Sequence, residues 1–467
     1  MHTSTTSTAA LEPWSIEQLQ QATQSYWLND KKPAGQIKRI LTDSRDAEAG
    51  DAFLALKGER FDAHDFIAQV AAQGCEIAIV SRPVDADICQ LVVEDTRLAL
   101  GQLGAYRRQQ NPQLKVIALT GSSGKTTTKE MLGSILSRLA PTLVTRGNLN
   151  NDLGVPVMLL ELRPEHQYAV MELGASHQGE IDYTSKMVQP HVAGIINIGT
   201  AHLGEFGGRD GICRAKSEIY AHISETSIIP AADDFAEVIR AAVRTEKSLS
   251  FGAGGEVYAS EVVLEAQSSS FTLNTAQGSK TVQLPFAGEH NVENATAAAA
   301  FALAIGIGLD DIVAGLEQAV GAKGRLNFIP YKDYLFIDDT YNANPGSMRA
   351  AAEVLAQQQG IRVMVTGDIG ELGSSAAIEH YKLGRDLVSV KGINFVVAVG
   401  EFAPAAQEGA RSTQYGKKMQ AFLNQEQALP FLIDLIETHQ PQPMSFLFKG
   451  SRFTHMETLM AALMEKL

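Results

Sequence analysis

An α/β fold divided into about three domains is what this sequence predicts, and three observations carry the prediction. The chain has 467 residues, against a soft prior of about 150 residues per domain. Apolar strand candidates alternate with helical patterns through most of its length. One of those strands, "VIALTG", runs into a Gly/Ser/Thr loop and then an amphipathic helix, the order of a nucleotide-binding α/β unit.

From about residue 36, "IKRILTDSR", "DAFLALKG" and "EIAIVSR" read as short strands around the helical stretch "DFIAQVAAQG", which together predict a small α/β domain. The polar segment "RRQQNPQLK" separates it from the next run. In "TTKEMLGSILSRLA", Met131, Leu132, Ile135, Leu136 and Leu139 fall on one helical face. "YAVMEL" and "VAGIINIG" follow as further apolar strands, which suits a parallel sheet covered on both faces. Residues 247 to 285 mix alternating strand patterns with turn residues and predict an antiparallel insertion. The run "ATAAAAFALAIGIGL" is too short and too rich in Ala and Gly for a membrane span, so a buried helix is expected. Beyond "GAKGR" the α/β rhythm returns, with strands at "YLFIDD", "RVMVTGD", "NFVVAVG" and "MSFLFKG".

Hydrophobic residues make up 45% of the chain, ample for globular cores, while 39 basic against 53 acidic residues leave a net charge of -14. That balance argues against non-specific binding to nucleic acid or to an anionic membrane surface. An anionic ligand must then be met by local cations, backbone amides or metal ions. The three cysteines, Cys75, Cys89 and Cys213, show no CxxC spacing, so neither a disulfide framework nor a structural zinc site is expected. The N-terminal "MHTSTTSTAALEPW" lacks a basic n-region and an apolar h-region. A cytoplasmic protein without stable membrane insertion is the expectation.

The loop "TGSSGKTTT", residues 120 to 128, is close to a P-loop, but the full pattern needs glycine where Leu119 stands. The mechanical parts survive. Gly121 and Gly124 permit tight turns, the amides around Ser122, Ser123 and Thr127 with the helix N-terminus can bind phosphate, and Lys125 can reach the outer phosphates. Thr126 is placed to ligate magnesium. Glu172 after "YAVM" and His202 after "IINIGTA" stand at strand ends, where ligands gather in open parallel sheets. Each could equally be a surface loop residue.

"GICRAKSEIYAHI", residues 211 to 223, reads as one amphipathic helix with Ile212, Ile219 and Ile223 on a single face, and Lys216 falls on that same face. A lysine there can lay its stem along apolar surface and send its head to water. Alternatively, desolvation there would favour the neutral amine over the charged form.

Several segments together resemble the Mur ligases of peptidoglycan precursor synthesis. They are "TGSSGKTTT", "GNLNNDLGVP", "MELGASHQGEID", "NIGTAHLGEFG", "RAKSEI", "GEHNVENATAAAA", the "GR" at 324 and 325, "DDTYNANP" and "KGSR", in the family's order. Within it, "DDTYNANP" and "TDSRDAEAGDAFLALKGERFDAHDF" look like the branch that adds D-alanyl-D-alanine to UDP-N-acetylmuramoyl-tripeptide. Ligases that add diaminopimelate or lysine would carry "DYAH" and a DNPR-type motif, which this chain lacks.

The resemblance implies an ATP-dependent amide ligase working through an acyl phosphate. It implies a UDP-substrate domain over residues 1–113, a central ATPase over 114–322 and a C-terminal Rossmann-like domain over 323–467. Carried over residue by residue, Lys125 meets the β and γ phosphates, Arg325 the γ phosphate, Asn291 and Asn294 the adenine side, and Asp339 the ribose. An alternative for "NVEN" is a helix N-terminal cap. Thr126 and Glu172 would hold one magnesium ion, His202 a second, and Lys216 would carry a carbamate formed with carbon dioxide, giving the metal oxygens instead of an ammonium. Asp43, Ser44 and Arg45 match the UDP side, and Asn148, Asn150 and Asn151 a loop near the sugar phosphates. Asn342 and Asn344 are the candidates for D-alanyl-D-alanine, because amides can donate to its carboxylate and accept from its amine. The expected partners are these small molecules, with no nucleic acid and a monomeric chain.

Overall fold

The computed structural model describes residues 11–58, 61–200 and 203–467. Three sheet-built units follow one another along the chain. In the first, five strands lie in the order Tyr26–Trp27, Cys89–Val92, Ile77–Val80, Ala52–Leu54, Ile40–Leu41. Only the first pair is antiparallel. Trp14, Leu19, Trp27 and Leu103 close one face of this sheet and Phe53, Ile67 and Val70 the other. The helix Thr96–Gln109 leads out of it, started by Asp95, whose carboxylate accepts the Arg97 and Leu98 N–H groups at 2.7 and 3.0 Å.

The second unit is built on six parallel strands in the order Lys247–Phe251, Thr226–Pro230, Val192–Ile195, Lys115–Thr120, Tyr168–Glu172, Thr142–Val144. The strand Lys115–Thr120 comes first in sequence yet sits in the middle, so the chain winds outward from it in both directions. That makes its C-terminal end a topological switch point, the place where such sheets open a crevice for a ligand. Beside this sheet, Tyr258–Leu264, Ser269–Thr275 and Gly278–Leu284 form an antiparallel sheet of three. The insertion therefore starts later than its alternating pattern suggests. Lys247–Phe251 pairs in parallel with Thr226–Pro230 and belongs to the main sheet.

The third unit has six strands in the order Asn327–Tyr331, Tyr334–Asp339, Met444–Lys449, Ile361–Gly367, Phe395–Val399, Met419–Phe422. All neighbours are parallel except the first pair. On one face the helices Ala376–Ser389 and Ala403–Arg411 pack backbone to backbone. Gly384 and Gly409 allow this, since a Cβ at either would collide with the carbonyl of Ala406 or Tyr381.

The helix Glu289–Ala304 is buried along Ala297 to Ala302, as the alanine-rich run predicts, and no helix among the described residues is long and apolar enough to cross a membrane. Two local expectations need correction. Leu139 lies past the end of the helix Lys125–Ser137 and is exposed. The segment around Lys216 is not one helix: an α-helix Arg209–Ser217 tightens into a 3-10 turn over Glu218–His222. Ile212 and Ile219 still reach the core, while Ile223 only packs against it.

Candidate active site

The loop that leaves strand Lys115–Thr120 is tied down by a residue that the motif does not contain. Asn197, just past the end of the neighbouring strand Val192–Ile195, accepts the N–H groups of Ser122 and Ser123 at 3.2 and 2.9 Å and donates to the Ser123 carbonyl at 3.1 Å. Gly124 closes the turn at φ 78°, and a Cβ there would run into the side-chain oxygen of Asn294. Leu119 is fully buried in the sheet. The position is core here, because the loop turns only after Thr120.

Lys125 opens the helix and donates to the Gly121 carbonyl at 2.8 Å. Burial in the cleft wall pushes its pKa down, while Glu172 favours the charged form. Thr126 donates to Glu172 Oε2 at 3.1 Å and accepts from Arg325 Nη2 at 3.0 Å, and Asn150 Nδ2 donates to Glu172 Oε1 at 2.7 Å. Glu172 is 2% exposed. Thus a residue of the third sheet's unit reaches across onto the phosphate loop. Arg325 also lies 4.5 Å over the Tyr341 ring. Its Nε, together with Ser122 Oγ and Thr120 Oγ1, is buried without a hydrogen-bond partner among the described residues. Buried polar atoms left unpaired at one loop are what a ligand rich in oxygen acceptors would satisfy.

Two cavities meet at this loop. One, of about 430 Å³, is lined by Gly124, Thr127, Asn291, Asn294, Arg325 and Asp339 among others. The second, of about 690 Å³, is lined by Ser122 to Thr126, Asn148, Asn150, Asn151, Glu172, Asn342 and Asn344 among others. Ser123, Gly124, Arg325, Ser347 and Lys449 belong to both, so the two are one continuous cleft.

On the first side, Asn291 Nδ2 donates to the Ala287 carbonyl at 2.8 Å and Asn294 Nδ2 to Asn291 Oδ1 at 3.1 Å. Neither caps the helix, because Gly288 holds that position. Burial and the charge of Lys449 push His290 on the same wall down to about 4, so its ring is neutral. Asp339 ends its strand with Oδ2 2.7 Å from Lys449 Nζ, and burial pushes its pKa up against the pull of that lysine.

On the second side, Asn344 caps the helix Pro345–Ala356 and donates to Ser123 Oγ at 2.9 Å, a second link between the units. Asn342 is exposed on the rim, and its carbonyl accepts from Lys449 Nζ at 2.9 Å. Asn151 accepts the Gly154 N–H at 2.8 Å at the start of helix Gly154–Leu160. Lys216 is 2% exposed, which removes the reading in which its head reaches bulk water. Burial and then the nearby charge of Lys125 push its pKa far down, with Glu172 opposing. His202 lies outside the described residues. Among those described, no group of three or more His, Cys, Asp or Glu side chains is arranged to hold a metal.

Lys216 lies beneath the cleft and lines neither of its cavities, and Asp43, Ser44 and Arg45 are not part of it at all. Asp43 caps the 3-10 turn Ser44–Asp46, and its carboxylate is forked by Arg45, whose Nε donates at 2.8 Å. That fork and the Arg45 N–H hold Asp43 down at about 2. Asp43 lines a separate cavity of about 970 Å³ with Arg39, Arg146 and Arg163, while Ser44 and Arg45 do not line it. Conversely, Asn197, Tyr341 and Lys449 belong to the cleft and had no role in the sequence reading. The signal for Lys449 was present in "KGSR", and that for Asn197 in "NIGTAH".

Comparison with known proteins agrees with this geometry. Residues 36–116 match the Mur ligase family catalytic domain, 119–302 the Mur ligase middle domain and 324–452 the Mur ligase glutamate ligase domain. The chain is 43% identical over 435 residues to the UDP-N-acetylmuramoyl-tripeptide--D-alanyl-D-alanine ligase of Escherichia coli K12, covering 92% of this chain and 94% of that one. It is 31% identical to the protein of the same name from Bacillus subtilis 168, covering 92% and 93%. A crystal structure of MurF from Acinetobacter baumannii superimposes with a TM-score of 0.95 at 72% identity, covering 98% of this chain and 100% of that one. MurF ligase from Thermotoga maritima in complex with ADP gives a TM-score of 0.79 at 27% identity, covering 92% and 97%.

Proposed function

This chain belongs to the Mur ligase family, and from that premise we propose that it joins D-alanyl-D-alanine to UDP-N-acetylmuramoyl-tripeptide with cleavage of ATP. The observation that carries the reading is the single cleft, walled on one side by the phosphate loop and Glu172 and on the other by Arg325 and the Tyr341–Asn344 turn. Such a cleft can hold a triphosphate, a carboxylate and an amine together.

A carboxylate is a poor acyl donor at neutral pH. Its oxygen attacks the terminal phosphorus, the bond to the bridging oxygen breaks, and ADP leaves. The amine lone pair then attacks the acyl carbon and the carbon–oxygen bond to phosphate breaks. Of the two protons the ammonium loses, one goes to a base before attack and the other departs with phosphate. In this reading the amides of Gly121 to Gly124 and the side chain of Lys125 hold the phosphates, and Arg325 meets the γ phosphate. Asn291, Asn294 and Thr127 face the base side, and Asp339 the ribose.

Thr126 and Glu172 offer hard oxygens next to each other, which fits magnesium. Lys216 fits that site only as a carbamate, since an ammonium would repel the ion, and its burial favours the neutral amine that combines with carbon dioxide. His202 completes the proposed donor set for two ions. What bound magnesium supplies is charge screening between the incoming carboxylate and the triphosphate.

Residues 1–113 take the UDP end in this proposal, with Asp43, Ser44 and Arg45 on that side, and Asn148, Asn150 and Asn151 lie toward the sugar phosphates. Residues 114–322 hold ATP and 323–467 the acceptor. Both walls of the cleft come from one chain, so a monomer suffices, and the need for ATP and a UDP-linked substrate argues for the cytoplasm.

The test is phosphate release with substrates left out one at a time. Release is expected only when ATP, the UDP-tripeptide and D-alanyl-D-alanine are all present. Equal release with either of the last two omitted contradicts the ligase reading.

A further inference from the structure

The wall that the third sheet brings to the cleft is held in shape by a residue with no role so far. Strands Tyr334–Asp339, Met444–Lys449 and Ile361–Gly367 are adjacent and parallel, so the loops leaving their C-terminal ends lie together. Ser451, 5% exposed, joins all three loops. Its N–H donates to the Asp368 carbonyl at 3.0 Å, its Oγ accepts the Gly370 N–H at 2.9 Å, and the same hydroxyl donates to the Ala343 carbonyl at 3.4 Å.

Two charged side chains stand on this pinned rim and line the second cavity of the cleft, Glu371 beside Gly370 and Arg452 beside Ser451. Among the described residues, Glu371 is the acid that this wall gives to that cavity. Its backbone sits at φ 62°, a left-handed conformation that is costly for a residue with a side chain and persists only where the surroundings enforce it. Its carboxylate is near enough to Lys125 to favour the ammonium form there, so it faces the phosphate end of the cleft. Arg452 meets Glu457 through Nη1 at 2.6 Å, and its side chain is 60% exposed, leaving the rest of its donor fork open to the cavity mouth. Lys449, the other cation near these loops, is committed to Asp339.

We propose that Glu371 and Arg452 read the two charges of the acceptor dipeptide, Glu371 binding its ammonium and Arg452 its terminal carboxylate, with Asn342 and Asn344 between them. The assignment rests on the ligase reading above. Its direction follows from charge. The attacking nitrogen must lie at the phosphate end, where Glu371 attracts it, whereas the reverse placement sets the dipeptide carboxylate against Glu371 and the phosphates. Ser451 is a positioning residue for both.

The experiment compares D-alanyl-D-alanine with D-alanyl-D-alaninamide, which lacks the carboxylate, on wild type, Arg452→Gln and Glu371→Gln, with unfolding midpoints as the folding control. Wild type should show a KM about 10-fold or more higher for the amide, as expected on losing a charge-assisted hydrogen bond. Arg452→Gln should raise KM for the acid by a similar factor and abolish the difference between acid and amide. Glu371→Gln should raise KM for both by about 10-fold, and Arg452→Gln should leave KM for ATP unchanged. Undiminished discrimination between acid and amide in Arg452→Gln, or an unchanged dipeptide KM in Glu371→Gln, overturns the assignment. Failure of wild type to make any product from D-alanyl-D-alanine refutes the ligase reading itself, before either variant is measured.

Discussion

Lys125→Met is expected to lower ADP formation by about 100- to 1,000-fold, the range found when one positioned donor is removed from a developing charge. Methionine keeps most of the apolar stem and lacks only the charged end, so the helix start and its packing survive. What disappears is the one cation that the loop itself contributes, now resting on the Gly121 carbonyl at 2.8 Å. Burial works against its charge, and a triphosphate reverses that balance by supplying oxyanions within reach. Arg325 is unable to compensate, because it approaches from the opposite wall onto Thr126. ADP formation in a coupled assay checks this, and a loss smaller than about 3-fold would mean that the outer phosphates lie elsewhere.

Lys216→Met should separate stability from activity. A lysine held 2% exposed, with Lys125 nearby, resists carrying charge, so an apolar side chain one atom shorter should leave the unfolding midpoint equal or higher. Turnover should nevertheless fall by about 100-fold or more, the effect expected if a magnesium site loses one of its oxygen donors. Nucleotide binding measured without magnesium should be unchanged. In wild type, isotopically labelled bicarbonate should give a carbamate resonance that the variant lacks. Full activity in Lys216→Met, or no such resonance in active wild type, would return this lysine to a packing role.

Much of this cleft was legible because the chemistry there is written locally. A strand, a turn with Gly121 and Gly124 and a helix starting at Lys125 occupy consecutive residues, and Glu172 follows its own apolar strand directly. Lys216 stood out because a charge interrupted an apolar face. What stayed hidden depends on distance along the chain. Arg325 and Thr126 are 199 residues apart and Asn344 and Ser123 221 apart, so no spacing rule relates them. Asn197 is an ordinary asparagine until the sheet order sets its strand beside the phosphate loop. Ser451 acts only through loops from two other strands. The alternating pattern at 247 to 251 misled for a related reason. An exposed edge strand of a parallel sheet alternates just as a hairpin strand does, and only its pairing with Thr226–Pro230 tells them apart.

In the proposed reaction the tripeptide carboxylate is activated by phosphorylation within the cleft between Lys125 and the Tyr341–Asn344 turn. Labelling that carboxylate with a heavy oxygen isotope and following it through turnover tests for the acyl phosphate. The inorganic phosphate released with the pentapeptide is expected to carry label from the carboxylate. Phosphate free of label, formed together with the same peptide product, would contradict an acyl phosphate.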